Sequence, residues 1–219
     1  MKLALVTGGT RGIGAAVADA LREEYQVVTV ARSGADENGD LEDTVFRNHL
    51  VQTYTPDIFI NNAALLSKDF ERMMHVNGLA AVDLLFKFYN KMNTGAIVNM
   101  SSISAEKNFL AREPQIRIAY ASAKKYLKDV SLSLAYSKSK PVKVMCISPA
   151  ATDTDMIKPI SNNYESVQEH YTNYDYHNSI CLTRPSEVAS IVKWMIDQPK
   201  WIVIPELVID NHYAKSIMW

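Results

Sequence analysis

The sequence predicts an α/β protein built on a doubly wound parallel sheet with helices on both faces. Two observations predict this fold. Short runs rich in Val and Ile alternate with amphipathic helical patterns, and the first run passes directly into a glycine-rich turn that opens a helix. The 219 residues can bury a core but remain short for two domains, so we expect one domain over 1–219.

The first half of the chain shows the alternation most clearly. An apolar run at 3–6 predicts a buried strand, and the helix expected at 13–23 carries its small and apolar residues on one face. A third strand and its helix are expected in compressed form between 40 and 54. The strands are expected at 3–6, 26–31, 57–60, 95–100, 142–147 and within 202–209, and the long helices at 13–23, 70–90, 119–137 and 186–197. With the compressed strand, the sheet has about seven strands.

Composition argues against several classes of function. The net charge of -1 offers no electrostatic attraction to nucleic acid or to an anionic membrane. Cys146 and Cys181 are the two cysteines, with no CxxC pair and no histidines at ligand spacing, so we expect neither a disulfide framework nor a metal site. The apolar run before Gly8 is too short for a secretory signal or a membrane span. We therefore expect a cytoplasmic protein.

The glycine-rich turn after the first strand predicts a phosphate-binding site. Glycines allow a sharp turn and a close approach to a pyrophosphate, and the helix that follows offers free N–H groups and the positive end of its dipole. The alternative is a tight turn that binds nothing. The residues expected to contact the cofactor here are Gly8, Thr10, Arg11, Gly12, Ile13 and Gly14.

The spacing of this turn, TGxxxGxG, resembles that of the short-chain dehydrogenase/reductase family, whose domain is a Rossmann-type fold. In that family a carboxylate after the second strand favours NAD. This chain has Arg32 and Ser33 at that point, and Arg11 in the turn. Two guanidiniums suit a 2′-phosphate, so we expect NADP(H) rather than NAD(H). The alternative is that both arginines are solvated at the surface.

A candidate catalytic set lies in the middle of the chain. Tyr120 and Lys124 are four residues apart on an expected helix and so share a face, where a nearby Lys⁺ favours the phenolate. Alone, such a pair is commonly a surface contact. The segment NMSS, however, ends a buried strand and resembles the family's serine strand, with Ser102 in the catalytic position. The segment HVN likewise resembles the part that supplies the family's catalytic Asn77.

The resemblance assigns a role to each of these four residues. It implies that Tyr120 exchanges a proton with the substrate oxygen, that Ser102 hydrogen-bonds that oxygen, and that Lys124 holds the nicotinamide ribose. Asn77 positions a water in the proton relay. Further cofactor contacts that the resemblance implies are Asp40, Leu41, Asn61, Asn62, Ala63, Tyr120, Lys124, Pro149, Thr152 and Thr154. The chain departs from the family where Ala64 and Ala150 replace glycines and Asn211-His212 replaces a glycine pair.

The segment after the sixth expected strand, about 155–185, is where the family carries its substrate lid. It holds Tyr164, Tyr171, Tyr174 and Tyr176, which suit a polar substrate or belong to a mobile surface loop. Arg112 and Arg117 either grip an anionic group or are solvated.

The sequence therefore predicts an enzyme that transfers a hydride between NADP(H) and a small, polar carbonyl or alcohol. The alternatives are a 3-oxoacyl-type ketoreductase and a non-catalytic NADP(H)-binding sensor or structural protein. The resemblance also suggests a homodimer or homotetramer formed through the helices at 70–90 and 119–137.

Overall fold

The structure is a computed structural model and describes residues 1–106, 114–156 and 182–210. Over these ranges the chain forms one sheet of seven parallel strands in the order β3-β2-β1-β4-β5-β6-β7. The strands are β1 (Lys2–Thr7), β2 (Tyr25–Ala31), β3 (Glu37–Asn38), β4 (Ile58–Asn61), β5 (Gly95–Met100), β6 (Val142–Ser148) and β7 (Glu206–Val208). This confirms the predicted doubly wound parallel sheet.

Helices cover both faces of the sheet, as the buried strand patterns require. They are α1 (Gly12–Leu21), α2 (Thr44–Thr53), α3 (Phe70–Met74), a π-helical turn (His75–Ala80), α4 (Ala81–Lys91), a 3₁₀ turn (Ile103–Ala105), α5 (Pro114–Ser137) and α6 (Pro185–Asp197). Residues of α1 and α6 share a core with one face of the sheet, and residues of α2, α4 and α5 share a second core with the other face.

Single strands show how the sequence separates the two cores. Ile58 and Ile60 of β4 face the side of α1 and α6, whereas Phe59 between them faces the opposite side and packs on Phe88 of α4, with ring centroids 4.4 Å apart. All three side chains are buried. The strand is therefore apolar throughout because neither of its faces meets water.

The expectation of a third strand between 40 and 54 is wrong. The strand lies earlier, at Glu37–Asn38, and that range holds only α2 and its N-cap Asp43. A five-residue turn, 32–36, joins β2 to β3 without a helix, although parallel strands usually need a much longer crossover. The Asp36 carboxylate stabilises the turn by accepting hydrogen bonds from Thr29 N, at 2.8 Å, and Thr29 Oγ1, at 2.7 Å.

The helix expected at 70–90 forms over Phe70–Lys91 but contains a full π-helical turn in its middle. Because π turns are rare and concentrate at functional sites, this one draws attention to Asn77, which lies inside it. In the part of the chain that the structure describes, no helix has both the length and the apolar character to cross a membrane.

Candidate active site

The carboxyl ends of the strands form the edge at which the predicted site residues gather. The strand order reverses between β1 and β4, whose chains leave the sheet in opposite directions. In doubly wound sheets this reversal opens a crevice that binds ligands. The turns after β1, β4, β5 and β6 all meet there, and they carry most of the residues that the sequence selects.

The glycine turn has the geometry that a phosphate cradle needs. Gly8 and Gly12 have φ values of +67° and +56°, which other residues rarely adopt. A Cβ on Gly14 would overlap the carbonyl oxygen of Gly8, so the start of α1 lies directly against the turn. The N-cap residue Arg11 makes no side-chain cap, and the first turn of α1 has no acidic residue. The end of α1 therefore fits a pyrophosphate.

Thr7 joins the glycine turn to the segment after β4. Its Oγ1 accepts hydrogen bonds from Asn62 N, at 3.0 Å, and Ala63 N, at 3.1 Å, and donates to Ile60 O. Asn62 Nδ2 returns a bond to Thr7 O at 2.9 Å. Asn61 instead points into the protein and donates to Ala81 O and Asn99 Oδ1, both at 2.9 Å. Asn62 and Ala63 thus flank the cradle, whereas Asn61 supports it from below.

The segment after β6 closes the other side of the glycine turn. A Cβ on Gly12 would lie 3.0 Å from Thr154 Cγ2, and the Arg11 guanidinium lies 3.9 Å from the Asp155 carboxylate. Thr152 is buried and donates to Ala150 O at 2.9 Å. Pro149 O accepts a bond from Ile103 N, which joins this segment to the turn after β5.

Two predicted contacts on the adenosine side, Asp40 and Leu41, are held by arginines. Arg72 of α3 lies 3.3 Å from Asp40 Oδ2, and its Nε donates to Glu42 at 2.6 Å. Arg47 of α2 is buried and donates to Leu41 O at 2.6 Å. The short segment after β3 is therefore fixed by side chains from two helices.

Arg11 and Arg32 flank the place where a 2′-phosphate is expected. Both side chains are exposed, and Arg32, with its neighbour Ser33, lies in the tight turn after β2. Arg11 has only the distant carboxylate of Asp155, and the described part of the chain gives Arg32 no carboxylate partner. Two exposed guanidiniums are thus present at this half of the edge, which suits an additional phosphate.

The structure brings three of the four predicted catalytic residues together. Tyr120 hydrogen-bonds Ser102, and Lys124 Nζ lies 5.9 Å from the centroid of the Tyr120 ring. Burial raises the pKa of Tyr120 to about 12, and the bond from Ser102 only partly offsets this rise. The phenol is therefore a neutral proton donor in the absence of further positive charge.

Lys124 is a fully enclosed lysine. It is 2 % exposed, and its Nζ donates to Met100 O at 2.7 Å. Burial lowers its pKa to about 8, with a small opposing contribution from the Cys146 thiol. Burial in turn raises the pKa of Cys146 to about 12. The Lys124 amine is thus buried where its charged form is disfavoured, next to Tyr120.

Asn77 occupies the π turn, and its side chain is engaged. Its Oδ1 accepts from Leu65 N at 2.8 Å, and its Nδ2 donates to Leu65 O at 2.7 Å. Asn77 is completely buried. It therefore holds the segment after β4 against the helix.

Sequence analysis did not select several residues that build this site. Thr7 and Ser101 are buried at the ends of β1 and β5, and Lys128 is buried one turn after Lys124. The available signals were a polar residue closing an apolar strand and a second lysine on the apolar face of a helix. Arg117 lies on α5 and is half-buried, while Arg112 and the four tyrosines of the expected lid lie outside the described residues.

Comparison with known proteins establishes the family. A model of the short chain dehydrogenase family matches residues 37–165, which is more than half of the chain. The chain belongs to that family, so it is a member of an oxidoreductase class. A similar curated protein is the 3-oxoacyl-acyl-carrier-protein reductase of Chlamydia trachomatis, 28 % identical in an alignment of 205 positions that covers 75 % of this chain and 79 % of that protein. Galactitol 2-dehydrogenase of Rhizobium johnstonii is 29 % identical over 202 residues, with coverage of 75 % and 77 %.

Solved structures share the fold. A serine dehydrogenase complexed with NADP⁺ superposes with a TM-score of 0.79 at 20 % identity, covering 94 % of each chain. The 3-alpha-hydroxysteroid dehydrogenase from Pseudomonas sp. B-0831, complexed with NADH, gives a TM-score of 0.75 at 18 % identity and covers 95 % of this chain and 94 % of that one. Since these neighbours carry different cofactors, the similarity leaves the choice between NAD(H) and NADP(H) to the residues of this chain.

Proposed function

We propose that this chain is an NADP(H)-dependent oxidoreductase that interconverts a small, polar carbonyl compound and its alcohol. One observation carries the proposal. The hydrogen-bonded pair of Tyr120 and Ser102 lies beside the buried Lys124, at the sheet edge where the glycine turn also opens. The proposed unit is a single domain over 1–219.

The side chains would divide the chemistry between them. When bound, the nicotinamide ring supplies or accepts the hydride. In reduction the Tyr120 hydroxyl gives its proton to the substrate oxygen, while Ser102 donates a hydrogen bond that stabilises the charge developing there. Lys124 would hold the nicotinamide ribose, and the charge of its ammonium would lower the pKa of Tyr120.

The preference for NADP(H) rests on the two exposed guanidiniums of Arg11 and Arg32. Arg32 and Arg11 would hold the 2′-phosphate by charge-assisted hydrogen bonds. Titration with NADPH and NADH, followed by nicotinamide fluorescence, tests this. We expect Arg32→Ala to weaken NADPH binding by about tenfold without changing NADH binding, since one charged hydrogen bond is lost. Arg22→Ala, at the exposed end of α1 beside Asp19, is the matched control. Tighter binding of NADH by the wild type would contradict the cofactor assignment.

Replacement of Tyr120 separates catalysis from binding. The Tyr120→Phe variant should still bind NADPH but lose at least about a hundredfold in kcat, because only the proton donor is removed. The assay is NADPH oxidation with a panel of small hydroxylated ketones. A wild type that binds NADPH but turns over no carbonyl would instead support a non-catalytic NADP(H)-binding sensor or structural protein.

A 3-oxoacyl thioester is the second candidate substrate, and the similarity to the chlamydial reductase favours it. Including an acetoacetyl thioester in the same panel distinguishes the two. A kcat/KM at least about tenfold higher for the thioester than for every small ketone would select the acyl substrate.

Self-association is the last part of the proposal. The outer faces of the π turn, α4 and α5 expose large apolar side chains, which in a second copy would cover one another. These are Leu79, Phe86, Ile118 and Tyr126. We expect a dimer or tetramer in sedimentation equilibrium, weakened by Phe86→Glu and unaffected by Val45→Glu, which changes an exposed residue on α2.

A further inference from the structure

We propose that Lys128 is a positioning residue, which holds the segment carrying Ser102 in place by binding Glu106 and Glu206 at the back of the catalytic site. The inference rests on the proposed function, because it assigns a task to Ser102 in that reaction. It adds a residue that lies outside the catalytic set and one helical turn beyond Lys124.

The contacts form a closed cluster of charges. Lys128 Nζ is paired with the Glu106 carboxylate and lies 2.6 Å from Glu206 Oε1. The second oxygen of Glu106 accepts a hydrogen bond from Ser148 Oγ at 2.9 Å. Lys128 is 8 % exposed and Ser148 is fully buried. One ammonium thus ties α5 to the ends of β5, β6 and β7.

Helix α5 holds the serine segment, residues 101–106, by contacts on both sides of Ser102. On one side, Ser101 Oγ donates to Lys124 O at 3.1 Å. On the other, the 3₁₀ turn lies between Ser102 and Glu106, and Lys128 holds Glu106. Since the Tyr120 hydroxyl bonds Ser102, the segment that Lys128 holds through Glu106 carries the hydrogen-bond partner of the tyrosine.

Two carboxylate partners explain why a lysine can be buried at this point. Burial lowers the pKa of Lys128, but the hydrogen bonds that its ammonium donates to Glu106 and Glu206 outweigh this effect and raise the pKa above its usual value. The ammonium is therefore retained at every pH at which the enzyme would work. Among the described residues, Lys124 Nζ donates to a carbonyl and has no carboxylate partner, so the two lysines have opposite pKa shifts on one helix face.

The variants are chosen to separate position from stability. Lys128→Met removes the charge and keeps the stem, whereas Lys128→Arg keeps the charge. If Lys128→Met fails to fold, a triple variant replaces it in the same measurements. This variant combines Lys128→Met with Glu106→Gln and Glu206→Gln, so that neither carboxylate is left buried and unpaired. Lys125→Met is the matched control, because Lys125 is exposed on the same helix and pairs with Asp129 alone among the described residues.

In turnover of the best carbonyl from the panel, we expect Lys128→Met to lower kcat about 10- to 100-fold with KM and the NADPH dissociation constant nearly unchanged. Lys128→Arg should restore most of the loss. In the alcohol direction, the pH profile of Lys128→Met should move to higher pH. The hydrogen bond from Ser102 lowers the pKa of Tyr120, and a displaced Ser102 would weaken that bond. A loss of stability alone would not move that profile.

A kcat for Lys128→Met, per folded molecule, within about twofold of the Lys125→Met value would overturn the proposal, as would an unshifted pH profile. If the wild type turns over no carbonyl, the proposed function has failed on its own, and amide hydrogen exchange in residues 101–106 decides the positioning. Faster exchange in Lys128→Met, but not in Lys128→Arg or Lys125→Met, supports it. Unchanged exchange overturns it.

Discussion

Lys124 and Tyr120 lie in contact on α5, yet burial shifts their pKa values in opposite directions. The Lys124 ammonium is 5.9 Å from the Tyr120 ring centroid, and the pKa of the lysine falls to about 8 while that of the tyrosine rises to about 12. Each shift disfavours the charged form. Burial therefore favours the neutral form of both groups. A charged group on a ligand bound beside them would have a large effect on both pKa values.

The first prediction concerns stability against pH. The pKa of Lys124 is lower in the folded chain than in the unfolded chain, so the unfolded state binds more protons above pH 7 and stability rises with pH. We expect the free energy of unfolding to increase by about 1 kcal/mol between pH 7 and pH 9. Above pH 9 the raised pKa of the Cys146 thiol opposes further gain, since its stabilising effect is lost as pH rises.

Urea unfolding at pH 7, 8 and 9 measures this rise. The Lys124→Met variant has no amine at this position and should lack the increase. An equal rise in the free energy of unfolding for the variant and the wild type would show that another group titrates between pH 7 and pH 9.

The second prediction compares two glycines. A methyl on Gly14 would overlap the Gly8 carbonyl, whereas Gly34 has no atom within 4 Å of the position of a Cβ. Gly14→Ala should therefore lose NADPH binding and melt at a lower temperature. Gly34→Ala should keep binding and lose only about 1 kcal/mol from its φ of +70°. Thermal melts with and without NADPH measure both, and equal behaviour of the two variants would contradict the close approach of α1 to the turn.

The third prediction is a stabilising substitution. Lys138 follows the last residue of α5 and has a φ of +50°, so it occupies the left-handed conformation that glycine prefers after a helix. Lys138→Gly should stabilise the protein by about 0.5–1 kcal/mol. Lys125→Gly, in the middle of the same helix, should destabilise it by about 1 kcal/mol. A destabilised Lys138→Gly variant would argue against that backbone conformation.

The fourth prediction concerns lysines that cap other helices. Lys140 Nζ donates to Tyr89 O and Asn90 O at the end of α4, both at 2.8 Å. Lys140→Met should cost about 1–2 kcal/mol, because it leaves two carbonyls at the helix terminus without a donor. Lys138→Met, which removes an exposed lysine nearby, is the control for net charge. The midpoint of urea unfolding distinguishes the two.

The sequence predicted the sheet well because neighbouring residues determine it. β4 is apolar at every position up to Asn61, and such a run admits few alternatives to a strand buried on both faces. The third strand was misplaced because β3 has two residues and no apolar signal. Its position depends on the bond between Thr29 and Asp36, which only the folded turn creates.

The site likewise combines contacts between residues near in sequence, which could be predicted, with contacts that only the fold creates. Tyr120 and Lys124 could be paired from their spacing, since four residues on a helix return to one face. The partner of Lys128 could not, because Glu206 lies 78 positions further along the chain and reaches it only through the order of the strands.

The double attachment of the serine segment to α5 has a mechanical consequence. Ser101 and Glu106 are both bonded to the helix that carries Tyr120. A small displacement of α5 would therefore move the Ser102 hydroxyl, the Tyr120 phenol and the Lys124 amine together as one rigid unit. Their mutual spacing is preserved while their distance from the glycine turn changes. Substitutions on the outer surface of α5 would thus change the distance between the Tyr120 hydroxyl and the glycine turn. They would leave the arrangement of Tyr120, Ser102 and Lys124 unchanged.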